Sequence, residues 1–150
     1  MKPTLLDPRG PRFAAALTAV VFVLILVTGA WWLALAQAVV FAITAVDPRK
    51  GPYGLIYRAV LAPRLPPPTE REPAEPVRFA QALGGVFALT AAIAYGAGGT
   101  AGTAVGIVAA AFGLAAAFLN SAFGLCLGCE LYLAARRMAG RPMAARVPNT

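Results

Sequence analysis

Two long stretches without a charged residue constrain this sequence more than any other feature. The first runs from Phe13 to Val46 and covers 34 positions, and the second runs from Phe79 to Cys129 and covers 51. A straight helix of 34 residues would be about 51 Å long, whereas the hydrocarbon core of a bilayer is about 30 Å thick. Each stretch is therefore long enough for two membrane-spanning helices joined by a turn. The sequence predicts an all-α membrane protein.

The positions of glycine and tryptophan suggest where each stretch turns back. Gly29 precedes Trp31 and Trp32, and tryptophan favours the headgroup level of a membrane. In the second stretch, the glycine-rich run 96–102 is predicted to form a flexible turn. Residues 1–150 then form a single membrane domain of two helical hairpins. The predicted spans are those near 13–28, 31–46, 79–95 and 103–123.

Charge placement predicts the orientation of these spans. All charged residues lie in segments 1–12, 47–78 and 130–150, and each segment is net positive. Four crossings place all three segments on one side, and the positive-inside rule makes that side cytoplasmic. The loop 47–78, the tail 134–150 and both termini are therefore predicted to be cytoplasmic. The abundance of alanine, glycine and arginine favours a bacterial source, and hence a multi-pass protein of the bacterial plasma (inner) membrane.

Two other interpretations of the charge pattern are weaker. A basic start followed by an apolar stretch and Ala34-Leu35-Ala36 resembles a cleaved signal peptide, but the apolar stretch continues through Val46. The net charge of +7 could indicate nucleic-acid binding. However, the basic residues border apolar blocks and show no aromatic interleaving, so the lipid bilayer is the expected partner and nucleic acid is not.

The central loop contains one candidate element. Residues 51–61 place tyrosines, aliphatic residues and one arginine at near-helical spacing, which predicts a short helix in the cytoplasmic interface. An ordinary loop is the alternative. Prolines 66–68 enforce an extended stretch, and the charged run Thr69–Glu75 is predicted to be a solvated linker without chemistry.

A short internal repeat joins the two halves of the chain. The segment Arg12–Leu17 reads RFAAAL, and Arg78–Leu83 reads RFAQAL, each after an acid-proline dipeptide. Two hairpins related by an axis along the membrane normal would give this pattern. Alternatively, Arg-Phe-Ala is a convenient start for any span, since the arginine snorkels to the headgroups.

A Cys-x-x-Cys pair is the main feature that carries chemistry. Cys126 and Cys129 are three residues apart, and Glu130 is four residues beyond Cys126, so a helix would place all three on one face. Thiol–disulfide exchange and sulfur transfer both need such a pair. If Gly124 breaks the span, Cys126 begins a new helix whose dipole favours the thiolate. The predicted catalytic roles are attack by Cys126, resolution by Cys129 and proton handling by Glu130.

Several alternatives to this chemistry remain open at the level of sequence. The cysteines could be inert packing residues of a structural or accessory subunit, with Gly124 and Gly128 forming a face for close helix contact or for homo- or hetero-oligomers. A metal site would need further ligands, and haem attachment would need histidine where Glu130 stands. A transport element is disfavoured because no ionisable residue lies deep in a span. No metal and no cofactor are predicted.

The cysteine motif also carries a family resemblance. Residues 124–132, GLCLGCELY, and the upstream residues 78–84, RFAQALG, resemble a bacterial membrane family catalogued as domain of unknown function 4395. The likeness covers nearly the whole chain, and the family tends to show phenylalanine where this chain has Leu125. The resemblance implies the predicted spans and a thioredoxin-like or rhodanese-like soluble partner. It implies no substrate, because the family has no established activity.

Overall fold

The protein is helical, as seen in a computed structural model that describes residues 4–141 and 147–148. Six α-helices follow in order, and Pro52–Ile56 continues as a π-helical turn and a short 3-10 turn that ends at Arg64. They are α1 (Arg9–Thr28), α2 (Trp31–Val46), α3 (Pro52–Ile56), α4 (Ala74–Ala97), α5 (Gly99–Phe123) and α6 (Leu127–Met138). The predicted all-α class is confirmed, apart from three very short strands.

The three strands form a small antiparallel sheet. They are β1 (Leu5–Leu6), β2 (Glu70–Pro73) and β3 (Val147–Pro148), in the order β1-β2-β3. The prediction of a solvated linker at Thr69–Glu75 is wrong, because β2 pairs with both other strands and α4 begins at Ala74. Strands of two to four residues are too short for an alternating hydrophobic pattern, so they could not be predicted from the sequence.

Glycines define the two sharp turns between long helices. Gly29 ends α1 in the left-handed conformation, with φ of 63°, and its N–H donates to the carbonyl of Ile25. Between α4 and α5 the chain turns at Gly98 and Gly99, both with positive φ. The predicted flexible turn over 96–102 is therefore too long. Gly102 lies inside α5, where a Cβ would overlap the carbonyl oxygen of Ala94 at 2.5 Å.

Three helices, α1, α4 and α5, are long and apolar enough to cross a membrane, which identifies the chain as a membrane protein. Many of their large apolar side chains face outward, among them Val27, Ile93 and Phe112. Helix α2 is equally apolar but has only 16 residues, about 24 Å, so its length alone does not establish a fourth crossing.

The two helices of the first hairpin pack on the second hairpin more than on each other. Helix α1 packs mainly on α5 and α2 mainly on α4, while α4 and α5 also pack on each other. The buried core consists mainly of alanines, with two phenylalanines that each pack against a glycine. Phe22 of α1 packs on Gly113 of α5, and Phe41 of α2 packs on Gly84 of α4, where a Cβ would lie 2.7 Å from the ring.

Corresponding contacts relate the two halves of the chain. Arg12 donates to the carbonyl of Ser121 near the end of α5, and Arg78 donates to the carbonyl of Ala45 near the end of α2. The next residue in each copy, Phe13 or Phe79, contacts a tyrosine, at 5.9 Å between the rings of Phe13 and Tyr57 and 5.7 Å between those of Phe79 and Tyr132. The recurring Arg-Phe segments therefore make recurring contacts.

The central loop contains a short helix, as the spacing of residues 51–61 suggested. Tyr57 is buried, whereas Leu55, Ile56 and Val60 are exposed. The predicted tail 134–150 begins inside α6, and residues 142–146, 149 and 150 of it lie outside the described part of the chain.

Candidate functional site

The candidate site lies where α5 gives way to α6. Helix α5 ends at Phe123, and Gly124 follows in the left-handed conformation with φ of 67°. Its N–H donates to the carbonyl of Asn120, and the N–H of Leu125 donates to that of Leu119, which completes the helix end. Gly124 therefore breaks the helix. The motif that follows begins a new helix instead of continuing the apolar span.

Cys126 is the N-cap residue of α6. Its backbone is extended, and its Sγ accepts a hydrogen bond from the backbone N–H of Cys129 at 3.3 Å. The two cysteines form a disulfide, with 5.2 Å between their Cα atoms. Both residues are partly buried, so the sulfurs remain within reach of a partner. A reduced Cys126 at this position would lie at the positive end of the α6 dipole, which stabilises a thiolate.

Glu130 lies in the first turn of α6, directly after Cys129. Its backbone N–H donates to the carbonyl of Cys126, and its side chain is exposed. The three residues that the sequence singled out therefore lie together, although Cys126 caps the helix and does not share a helical face with the others. An exposed carboxylate beside a dithiol can take up or release a proton during exchange.

Arg12 is a site residue that sequence reasoning did not connect with the cysteines. Its guanidinium carbon lies 3.5 Å from the position that a Cβ of Gly124 would take, and its NH2 group donates to the carbonyl of Ser121 at 3.5 Å. A positive charge therefore lies beside the turn that leads to Cys126, where it favours a thiolate. The packing of α1 on α5 brings Arg12 to this turn, although Arg12 and Ser121 are 109 positions apart in the sequence.

A cavity of about 610 Å³ opens beside the disulfide. Both cysteines and Glu130 contribute to its wall, and helices α1, α4 and α5 form most of the remainder. Most of its lining residues are apolar and include Phe41, Phe87 and Phe112. Ligand-binding cavities are typically about 300–1,000 Å³, so this one is large enough for a small organic molecule.

Helix α6 is held tightly on α4. Gly128 is buried, and a Cβ there would lie 2.6 Å from both Cα and Cβ of Ala80. Tyr132 contacts the ring of Phe79, and its hydroxyl accepts a hydrogen bond from Arg136, which also pairs with Glu75 at 3.5 Å. These contacts fix the beginning of α6, and with it the disulfide, relative to the membrane-spanning helices.

The two glycines that the sequence offered as an oligomer face make contacts within the chain. Gly128 packs on Ala80, and Gly124 forms the end of α5. Assembly through glycine faces stays a prediction. Within residues 4–141 and 147–148, no three His, Cys, Asp or Glu side chains are grouped closely enough to hold a metal ion.

A second polar cluster joins the start of α1 to the central loop. Asp7 accepts hydrogen bonds from the Arg9 side chain at 3.1 Å and from the Tyr57 hydroxyl at 3.0 Å. Burial alone would raise the pKa of Asp7, but the hydrogen bonds from Arg9 and Tyr57 outweigh it, so the pKa lies below its usual 3.8. Burial and the hydrogen bond to Asp7 raise the pKa of Tyr57. These hydrogen bonds connect the start of α1 to the central loop, and the cluster does not include the disulfide.

Comparison with known proteins establishes the family. Residues 6–137 match the domain of unknown function DUF4395, and the chain belongs to this family, as the cysteine motif indicated. No curated protein and no solved structure matches the chain.

Proposed function

We propose that this DUF4395 protein is a thiol–disulfide exchange protein of the bacterial plasma membrane, in which Cys126 and Cys129 exchange electrons with a soluble thioredoxin-like partner at the cytoplasmic face. The observation that carries the proposal is the disulfide at the N-terminus of α6, partly exposed and beside a cavity. A helix N-terminus and a nearby arginine are the surroundings that make a cysteine a reactive thiolate.

The sheet supports a membrane topology with four crossings. β1 precedes α1, β2 precedes α4, and the two strands pair, so the starts of α1 and α4 lie at the same end of the bundle. Since α1 runs away from that end, α2 must return to it. Helix α2 is shorter than the hydrocarbon core, a mismatch that local bilayer thinning and its flanking tryptophans can accommodate.

The same sheet supports placing the three charged segments on one side. β1, β2 and β3 belong to the N-terminal segment, the central loop and the C-terminal tail, and they are bonded to one another. With basic residues in each segment, the positive-inside rule assigns that side to the cytoplasm. In this topology α3 and the turn that follows lie at the cytoplasmic interface, with Leu55, Ile56 and Val60 toward lipid.

The exchange reaction balances without further components. The reduced Cys126 thiolate attacks a disulfide of the partner, which forms a mixed disulfide and releases one partner thiolate. Cys129 loses its proton to Glu130 and attacks Cys126 Sγ, which forms the Cys126–Cys129 disulfide and releases the second partner sulfur as a thiolate. Glu130 can then pass the proton to this thiolate. In the reverse direction the soluble partner is oxidised and this pair is reduced.

Cysteine variants in inverted membrane vesicles test the proposal. With Cys129→Ser, Cys126 can attack but the mixed disulfide cannot resolve, so we expect a covalent complex with an oxidised thioredoxin-type protein on non-reducing gels. Cys126→Ser is the matched control and should give no complex. A membrane-impermeant maleimide should label the wild-type thiols only after reduction.

The alternative function, a structural subunit whose cysteines are inert, predicts different results. The disulfide would then only hold the turn between α5 and α6. No mixed disulfide in Cys129→Ser, together with thiols that stay unlabelled after reduction, would support this alternative and reject exchange. Reaction in right-side-out vesicles alone would contradict the cytoplasmic placement.

A further inference from the structure

We propose that the cavity beside the disulfide binds a lipid-soluble quinone, which reoxidises the Cys126–Cys129 pair. This inference rests on the proposed exchange function and names the acceptor to which that function passes its electrons. The carrying observation is that both cysteines belong to the wall of a cavity enclosed largely by membrane-spanning helices.

The position of the cavity favours a ligand that arrives from the membrane. Its lining on α5 extends from Asn120, near the disulfide, to Phe112, a distance of about 12 Å along the helix. Phe112 is 60% exposed and stacks on Phe87 at 5.9 Å between ring centroids, so this aromatic pair stands where the cavity wall meets the lipid-facing surface. Such a wall does not favour the binding of a water-soluble acceptor, whereas a planar apolar ring can pack against it.

Besides the charged side chains of Arg12, Glu70, Glu72 and Glu130, three neutral polar groups lie in the mostly apolar wall. Thr18 of α1 is 5% exposed, and Gln81 of α4 and Asn120 of α5 also line the cavity. Hydroxyl and amide groups can donate hydrogen bonds to the two carbonyl oxygens of a quinone. A lipid acyl chain offers no acceptor to these groups. An apolar cavity with a small number of polar groups is the usual composition of a site that orients a small molecule.

The redox step is balanced between the dithiol and the quinone. The S–H bonds of Cys126 and Cys129 break, one S–S bond forms, and two electrons and two protons pass to the quinone. The quinone is reduced to a hydroquinone with two new O–H bonds. Glu130, at the wall beside Cys129, can relay one of these protons. Dithiols of the soluble partner then reduce the disulfide again, and electrons flow from cytoplasmic thiols to the membrane quinone.

A single-turnover experiment tests this inference on the whole chain in phosphatidylcholine nanodiscs. The protein is reduced, freed of reductant and mixed anaerobically with decyl-ubiquinone, whose fully substituted ring does not add thiols. We expect one quinone reduced for each protein and two thiols lost, followed by absorbance and by thiol counting. Cys126→Ser should reduce none.

A pair of neighbouring alanines on α5 provides the matched control. Ala116 lines the cavity, whereas Ala115 is exposed and lies outside it. Ala116→Leu should slow quinone reduction by about tenfold or more, as expected for misfit in a pocket, while Ala115→Leu should react like the wild type. Thr18→Val should weaken quinone binding without changing the cavity volume. Thermal unfolding of each variant identifies any defect in folding.

Photolabelling of the oxidised wild type provides a second measurement. An azido-ubiquinone should label peptides of α5 between Phe112 and Asn120, and decyl-ubiquinone should compete with it, whereas added phospholipid should not. Competition by phospholipid alone would assign the cavity to acyl chains and overturn the inference.

Thiol exchange separates this inference from the function on which it rests. A wild type that exchanges disulfides with a soluble dithiol but does not reduce quinone overturns the quinone site and leaves the exchange function standing. Equal rates in Ala116→Leu and Ala115→Leu, with both folded, would also overturn the site. A wild type that fails in both reactions rejects the exchange function as well.

Discussion

Gly128 is the position where one added methyl group should most directly disturb the site. A Cβ at Gly128 would lie 2.6 Å from Cα and from Cβ of Ala80, and one of these is a backbone atom of α4 that cannot rotate away. Carbon atoms in contact are about 3.5–4.0 Å apart, so α6 must move outward by about 1 Å in Gly128→Ala. Because Cys129 is the next residue, the disulfide moves with it.

Two opposing effects determine how much Gly128→Ala changes the free energy of unfolding. Inserting a methyl group into a close contact costs about 1–3 kcal/mol, whereas alanine in place of glycine stabilises a helix by about 1 kcal/mol. We therefore expect Gly128→Ala to lower the free energy of unfolding by up to about 2 kcal/mol. Gly96→Ala is the matched control, since Gly96 is also helical and a Cβ there would lie 3.9 Å from Trp31. It should be neutral or stabilising.

Titration of both variants with sodium dodecyl sulfate, followed by circular dichroism, measures these free energies. Reduction of the disulfide by dithiothreitol reports the displacement of α6, and we expect it to be faster in Gly128→Ala than in Gly96→Ala. If Gly128→Ala were as stable as the wild type and were reduced at the same rate, the packing of α6 on α4 described above would be refuted.

Three further predictions follow from single contacts. Asp7→Asn should lower the free energy of unfolding by about 1 kcal/mol at pH 7. As the pH falls from about 4 through the lowered pKa of Asp7, the wild type should lose this stability and the variant should not. The same titration at several pH values measures both effects. Arg12→Gln should slow alkylation of the reduced Cys126 about threefold at neutral pH by removing a nearby positive charge, whereas Arg78→Gln, which loses the corresponding contact in the other half, should not. Gly113→Ala should lower the free energy of unfolding by up to about 2 kcal/mol, because the fully buried ring of Phe22 cannot move aside and this cost exceeds the gain of about 1 kcal/mol in helix propensity. Stability as high as that of Gly96→Ala would contradict this packing.

The helical part of the fold could be predicted because it follows from solvation. Charged side chains avoid the hydrocarbon, so their segregation located all four long helices, and the conformational freedom of glycine located the turn at Gly29. The turn at Gly98 was predicted too broadly. The sequence shows that a run contains glycines, but the approach of Gly102 to Ala94 that makes one of them part of a helix depends on tertiary packing.

Only those residues of the candidate site that are close together in the sequence could be predicted. Cys126, Cys129 and Glu130 lie within five residues, so spacing alone brought them together. The position of Arg12 and the cavity depend on the packing of the first hairpin on the second, in which α1 lies against α5. No pattern in either segment specifies its partner, because apolar helices of similar composition can pack in several pairings. Contacts between residues distant in the sequence could therefore not be predicted from this single sequence.

The comparison of the two halves bears on whether the cysteines are needed for the fold. If Tyr57 corresponds to Tyr132, as their contacts with Phe13 and Phe79 indicate, then Gly51 and Gly54 correspond to Cys126 and Cys129. Gly51 is the N-cap of α3, as Cys126 is the N-cap of α6. The first half therefore begins its short central-loop helix with Gly-x-x-Gly and no sulfur. Since a helix start of this kind forms without cysteine, the cysteine pair is not required for this local structure, which is what the proposed exchange function predicts. Replacing both cysteines by glycine should accordingly preserve the helical content and abolish thiol exchange. A chain that unfolds on this replacement would show that the disulfide is a structural link.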